Sequence, residues 1–210
     1  YLFRPLAVWV YNPQNPSNDS NIKSTAETHK WANTNEFSFV GYYNIQAGLA
    51  RLFVAVWQAE KIPCHLVFWR MIKQEKGGCL DFDTTFKNGY ALTTTNLYCA
   101  NLLPNPPKSF KQNFPDTNMD DLYVKHLDAI EFMLQKGGLI IQDPLLDFAT
   151  STIKQRKQER RFAWQHWYYG LLVFYFMLFR QRRFTGKTIQ QQHAERLFTL
   201  SAQAESTMNV

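Results

Sequence analysis

The sequence predicts an α+β fold that continues into an apolar helix, and three observations indicate it. Apolar and polar residues alternate in short runs between residues 37 and 96, as they do in half-buried strands. A helical pattern follows at 117–136, where apolar residues recur every three or four positions. An aromatic and aliphatic run then occupies 162–179, with arginines on both sides. We therefore expect a small antiparallel β-meander packed by an amphipathic helix, then a basic helix that runs into an apolar membrane-anchor helix.

The first strands are predicted near Phe37 and in 51–58 and 64–72, which are rich in Val, Phe and Trp. The clearest hairpin lies at 79–96. A three-residue loop, Lys87-Asn88-Gly89, unites the apolar residues of both strands on one face, whereas a two-residue Asn-Gly turn separates them. We therefore expect the longer loop, with its glycine in the left-handed conformation.

Four prolines between 103 and 115 predict an extended crossing loop, because each proline removes a backbone donor. The amphipathic helix that follows is expected to begin at Thr117 and to end at Gly137-Gly138. A basic helix is expected to begin at Asp143, with Pro144 in its first turn.

The chain is accordingly divided into five parts. They are an N-terminal segment and polar linker (1–35), an α+β domain (36–138), a basic connecting helix (139–161), a transmembrane or interfacial helix (162–183) and a polar C-terminal tail (184–210). Residues 1–150 hold 13 Lys and Arg against 14 Asp and Glu, whereas 151–210 hold 10 against 3, a net charge of +7. The basic character therefore belongs to the C-terminal third.

Three interpretations of the apolar run compete: a spanning helix, an in-plane interfacial helix and a core element. Its uninterrupted part, 167–179, is about 20 Å long as a helix, too short for a hydrocarbon layer of about 30 Å. Extension to residue 162 gives roughly 27 Å, a slightly short span. The spanning helix is favoured because no polar stripe is visible between 168 and 179. Basic residues on both flanks leave the orientation open.

Aromatic and basic residues around the run are expected at the level of the lipid head groups. They are Arg160, Arg161, Trp164, Trp167, Tyr168, Tyr169, Arg180, Arg182 and Arg183. The predicted partner is a lipid bilayer with anionic head groups, since each nearby Lys or Arg contributes about 1 kcal/mol there. A protein partner or a second copy of the chain is the other partner considered. Nucleic acid is disfavoured, because the aromatic residues are contiguous with aliphatic ones.

Three residues are candidates for ligand binding or acid–base chemistry. Asp81 and Asp83 lie two apart on a predicted strand and so face the same way, as two ligands of a hard cation would. His126 falls on the apolar stripe of the predicted helix. A solvated sheet face and a hydrogen-bonded core histidine are the favoured alternatives. No complete catalytic constellation, metal site or cofactor motif is present, so no catalytic residue, metal or cofactor is predicted.

Thr185-Gly186-Lys187-Thr188 imitates the end of a phosphate-binding loop. That motif needs a glycine five residues before Gly186, where this chain has Gln181. A solvated turn is therefore favoured over nucleotide binding.

The hairpin 81–96, the proline-rich loop and the helix with His126 resemble a stretch found in uncharacterised bacterial membrane-associated proteins. The resemblance covers about residues 50–135 and implies a membrane-linked α+β domain without a known activity. Three scattered cysteines fit a reducing environment. The expected location is thus a bacterial inner membrane, with the domain facing the cytoplasm.

These observations favour a non-enzymatic protein: a membrane-anchored domain with a binding or assembly role. The first alternative is a membrane-bound hydrolase or metal-dependent enzyme that uses Asp81, Asp83 and His126. The second alternative is a soluble, basic nucleic-acid-binding protein.

Overall fold

The chain forms two compact units, each built from two separate stretches of sequence. Unit 1 comprises Tyr1–Asp81 and Pro144–Trp167, and unit 2 comprises Phe82–Asp143 and Tyr168–Val210. The computed structural model describes residues 7–11, 19–47, 50–72, 77–98, 100, 103–142, 147–170, 172–198 and 200.

Unit 1 contains an antiparallel set of strands in sequence order. The strands are β1 (Ala7–Val10), β2 (Phe37–Ala47), β3 (Ala50–Ala59) and β4 (His65–Met71). Each pairs with the next in antiparallel fashion, with a register shift in β2 between Phe39 and Gly41. The strands expected near Phe37, in 51–58 and in 64–72 are confirmed.

Opposite sides of these strands carry different helices. Tyr43, Ile45, Val54, Val56 and Val67 form a core cluster with Phe148, the first residue of α4 (Phe148–Gln165). Two shorter helices, α1 (Ser20–Lys23) and α2 (Ala26–Thr34), lie within the stretch that was assigned to the polar linker. Their side chains bond to buried strand residues: Trp57 Nε1 donates to His29 Nδ1 at 3.0 Å, and Arg70 Nη2 donates to Asn21 Oδ1 at 2.8 Å. These bonds explain why a sequence rich in Asn, Ser and Thr is ordered here.

The predicted hairpin is confirmed, including its loop. Strand β5 (Cys79–Thr85), which begins in unit 1, leads to a 3-10 turn at Lys87–Gly89 and then to β6 (Ala91–Thr95). The amide of Phe86 donates to the carbonyl of Tyr90 at 2.8 Å, and Gly89 has a φ of 76°. Both aromatic residues are buried, as the three-residue loop requires.

The helix that packs on this hairpin is α3 (Met119–Gly137). It ends as predicted, with Gly138 at a φ of 58°, a left-handed conformation that glycine adopts without strain. Its start differs by one residue, because the Asn118 side chain, and not Thr117, accepts from the amide of Asp121. Among its buried residues are Leu122, Ile130 and Met133.

The prediction of a wholly antiparallel meander is wrong. The proline-rich loop contains a further strand, β7 (Ser109–Asn113), which pairs parallel to β6. The loop carries the chain back before β7 begins, so both strands run in the same direction. Its prolines lie outside β7, where their missing amides cost no strand pairing.

The prediction that the apolar run forms a transmembrane anchor helix is also wrong. Within the part of the chain that the structure describes, no helix combines the length and the hydropathy that a membrane span requires. Helix α4 ends at Gln165, and a 3-10 turn (Trp167–Gly170) interrupts the run. The residues that follow form α5 (Val173–Tyr175), a π-helical turn (Phe176–Arg180) and α6 (Gln181–Phe184). The predicted α4 start at Asp143 and Pro144 falls outside the described residues; the helix is capped by Asp147.

Candidate functional site

Large apolar side chains are exposed along residues 168–179 of unit 2, which we call the apolar segment; Leu171 lies outside the described residues. Its exposed members are Tyr168, Leu172, Phe174, Tyr175, Met177, Leu178 and Phe179. Phe174 is 72% exposed and Phe179 is 61% exposed. Soluble proteins rarely leave so many large apolar side chains together in water. The apolar segment is therefore a candidate binding surface.

The exposed side chains of the apolar segment do not form a single stripe. Successive residues of a helix are rotated by about 100°, so exposed side chains at five of the six positions 174–179 project in different directions. A helix that lies flat on the surface of its own protein shows a polar outer face instead. The apolar segment thus has no outer face suited to water.

Three arginines follow the apolar segment directly: Arg180, Arg182 and Arg183. The last two are exposed. The guanidinium of Arg180 lies over the Phe184 ring, 4.2 Å from its centroid. Its Nε is buried and has no hydrogen-bond acceptor among the described residues. Burial lowers the pKa of Arg180, Tyr169 opposes that shift and Arg183 adds to it.

Helix α6 fixes this basic end to unit 2. Gln181 and Phe184 are buried, and Gln181 Nε2 donates to the carbonyl of Tyr98 at 2.7 Å. Two residues beyond α6, the Gly186 amide donates to the Asn113 carbonyl at 2.8 Å. The sequence analysis did not single out these anchoring residues, because a glutamine between arginines gives no signal of burial.

The predicted interface residues divide between the two units. In unit 1, Trp164 is 47% exposed, Trp167 is 67% exposed and Arg161 is exposed, while the side chain of Arg160 is outside the description. In unit 2, Tyr168 is exposed and Tyr169 is half-buried. Their role at a membrane stays a prediction.

The two candidate aspartates are held by hydrogen bonds on β5. Trp69 Nε1 donates to Asp81 Oδ2 at 2.9 Å, and Thr93 Oγ1 donates to Asp83 Oδ1 at 2.6 Å. Both carboxylates are partly buried, not fully solvated. They alternate along the strand with Phe82 and Thr84, which are buried. The aspartates therefore face away from the side of β5 that carries those two residues.

His126 lies on that buried side, with a relative exposure of 0%. Its Nε2 is 3.0 Å from Thr84 Oγ1, and its Nδ1 is 2.8 Å from Thr94 Oγ1. Burial lowers the pKa of His126 to about 3, so the ring is neutral. Both ring nitrogens are occupied within the core, which is the arrangement of a structural histidine. Within unit 2, the structure does not bring His126 to the face of β5 that carries Asp83.

Gln112, a residue that the sequence analysis missed, completes the network around His126. Its Nε2 donates to Thr94 Oγ1 at 2.8 Å and to the Lys125 carbonyl at 2.9 Å, while its Oε1 accepts from the Ile189 amide at 2.9 Å. Period-two alternation could have found it, because its neighbours at two-residue spacing, Phe110 and Phe114, are also buried.

The segment that imitates a phosphate-binding loop is a helix cap. Thr188 and Gln191 form a reciprocal capping box at the start of α7 (Ile189–Ala194). Lys187 Nζ is paired with the Glu195 carboxylate. These bonds fit the favoured interpretation of a turn.

Among the described residues, no group of three or more His, Cys, Asp or Glu is arranged to hold a metal ion. Comparison with protein-family models, with curated proteins and with solved structures finds no match to this chain. The function must therefore be argued from the surface itself.

Proposed function

We propose that this chain is a binding protein that docks on an anionic membrane surface by inserting the apolar segment into one leaflet. The observation that carries the proposal is the exposure of five large apolar side chains within residues 174–179, which span about 200° of the helix circumference. Transfer of such side chains from water to hydrocarbon is favourable by about 25 cal/mol for each Å² of apolar surface. Insertion places every side of the segment in an apolar environment.

The length of the apolar helical stretch supports insertion into one leaflet. Val173–Tyr175, Phe176–Arg180 and Gln181–Phe184 are consecutive and together make 12 residues, roughly 18 Å of helix. The hydrocarbon layer is about 30 Å thick, so the 173–179 part of this stretch, roughly 10 Å of helix, fits within one leaflet of about 15 Å. The arginines that follow would then lie among the head groups.

The charge pattern favours anionic lipid over zwitterionic lipid. The sequence contains no Asp or Glu between Glu159 and Glu195, whereas it has six Lys or Arg there. Each such cation near an anionic leaflet contributes about 1 kcal/mol. A protein partner is the alternative occupant, since interfaces also enrich aromatic residues and Arg. A protein groove would cover one side of a helix, whereas the exposed apolar side chains here span more than half of the helix circumference, which favours lipid.

The test is co-sedimentation with vesicles of phosphatidylcholine, with and without phosphatidylserine. We expect the chain to bind the anionic vesicles. The double variant Phe174→Ser, Phe179→Ser should lose about 3 kcal/mol, roughly a hundredfold in partitioning. Both residues are exposed, so the substitutions leave the packing of the fold intact.

Tyr98→Ser is the matched control, because Tyr98 is 71% exposed and lies outside the apolar segment. It should bind as the parent chain does. Equal binding by the double variant and the parent would overturn the proposal. The proposal would also be overturned if the parent chain did not bind vesicles and instead formed dimers through the apolar segment.

A further inference from the structure

The cluster of arginines at the end of the apolar segment contains one member, Arg180, that has a buried nitrogen without a hydrogen-bond acceptor among the described residues. Arg180 as a whole is half-buried, and the nitrogen in question is its Nε. Within the part of the chain that the structure describes, the groups that act on its charge besides burial are Tyr169 and Arg183, neither of which is a carboxylate. Removing a guanidinium from water without an anionic partner is costly. An external anion at this place would offset that cost.

The position of the cation favours a particular orientation of that anion. The Phe184 ring lies under the guanidinium at 4.2 Å and is itself buried, so it holds the plane of Arg180 in place. Because Nε is buried, an incoming acceptor reaches the guanidinium through its terminal nitrogens. Guanidinium groups bind phosphate oxygens with two parallel hydrogen bonds, which an ammonium group cannot do.

Arg183 is a second cation close to Arg180. Arg183 lies three residues after Arg180 on a helical stretch, the spacing of neighbours on one face. It is close enough for its charge to act on Arg180. Two like charges repel each other, and an anion between them would offset that repulsion. Arg182 is exposed but is rotated away from this pair, since residues two apart do not share a helix face.

The backbone at this place is also unusual. Arg180 is the last residue of the π-helical turn Phe176–Arg180. Single π-helical turns inside α-helical stretches are rare and are found often at functional sites. The turn contains the end of the apolar segment, and the anchored helix α6 follows it directly.

We infer that Arg180 and Arg183 form a binding site for the phosphate group of a lipid head group, at the base of the apolar segment. The inference rests on the proposed function and deepens it. It assigns recognition of the phosphate to Arg180 and Arg183, whereas a diffuse positive charge would draw equally on Arg180, Arg182 and Arg183. The phosphate would accept hydrogen bonds from the terminal nitrogens of Arg180 while Arg183 contributes a second cation.

The experiment compares three variants that keep the charge: Arg180→Lys, Arg183→Lys and Arg182→Lys. Each is titrated with vesicles of phosphatidylcholine that contain phosphatidate, whose head group is a bare phosphate. We expect Arg180→Lys to weaken binding about tenfold and Arg183→Lys at least threefold, because lysine loses bidentate phosphate binding. Arg182→Lys should stay within a factor of two of the parent chain.

Arg183 and Arg182 are both exposed, so their comparison stays valid even if Arg180→Lys disturbs packing on Phe184. If all three variants bind like the parent, or all three weaken equally, the phosphate site is wrong and the proposed function stands on the apolar segment alone. If the parent chain does not bind these vesicles or those with phosphatidylserine, the proposed function fails and the phosphate site with it. The two failures are thus told apart in one titration series.

Discussion

At the scale of single residues, His126 shows how a candidate for chemistry becomes part of a core. Thr84 and Thr94 bond to its two ring nitrogens, and Gln112 bonds to Thr94 in turn. The neutral ring is required, since a charged imidazolium would be buried without a counter-charge. The network is therefore stable only while the ring stays neutral, with a proton on one of its two nitrogens.

This requirement predicts that the stability of unit 2 depends on pH. The pKa of His126 is lowered from 6.5 to about 3 in the folded state. The unfolded state therefore binds a proton first as the pH falls. The stabilisation is complete above pH 6.5 and is lost progressively down to about pH 3. Between pH 7 and pH 5, we expect this ring to lower the free energy of unfolding of unit 2 by about 2 kcal/mol. Hydrogen exchange of the α3 amides measures the change.

His126→Gln separates this effect from other titrating groups. Glutamine can still donate and accept within the network but does not titrate. We expect it to be less stable at pH 7 by about 1–3 kcal/mol and to lose about 2 kcal/mol less than the parent chain on moving to pH 5. An identical pH slope for the parent chain and the variant would contradict the assignment.

At the scale of elements, the accuracy of the sequence analysis followed the range of the interactions. The hairpin loop and the end of α3 were predicted correctly because Gly89 and Gly138 encode their own backbone conformation. Strand β7 was predicted as part of an extended loop, and its parallel pairing was missed because such pairing depends on a crossover, not on a local pattern. The burial of Gln112 and Gln181 depends on partners far away in sequence. The apolar run was recognised as a stretch of sequence, but the interruption of its helix at Trp167–Gly170 was not.

The caps of α3 provide a prediction at this scale. Asn118→Ala should cost about 1 kcal/mol, because the side chain that accepts from the Asp121 amide is removed. Asn118→Ser keeps an acceptor, and its stability should stay close to that of the parent chain.

Gly138→Ala should also cost about 1 kcal/mol of stability, since alanine is strained at a φ of 58°. Urea unfolding followed by circular dichroism measures all three; equal stabilities for the alanine and serine variants at 118 would refute the cap.

At the scale of the whole molecule, each unit is completed by residues distant in sequence. Unit 1 includes Phe148 of α4 in its core cluster. Unit 2 includes Phe184 and Ile189, both buried, within the stretch that was assigned to a polar C-terminal tail. A chain cut near residue 141 would therefore lack part of both units. Such a truncation cannot serve as a folded control for membrane binding, whereas point variants at exposed positions can.

The contribution of the C-terminal residues to unit 2 can be measured directly. Ile189 is fully buried, and its amide donates to the Oε1 of Gln112 at 2.9 Å. Ile189→Ala removes buried methyl groups and should cost about 2–4 kcal/mol. Arg196→Ala, at an exposed position outside α7, should cost less than about 0.5 kcal/mol.

Tryptophan fluorescence would be the wrong probe, because all six tryptophans lie in unit 1. Hydrogen exchange in β7 and α3 reports on unit 2, and unchanged protection there in Ile189→Ala would show that α7 is not part of its core.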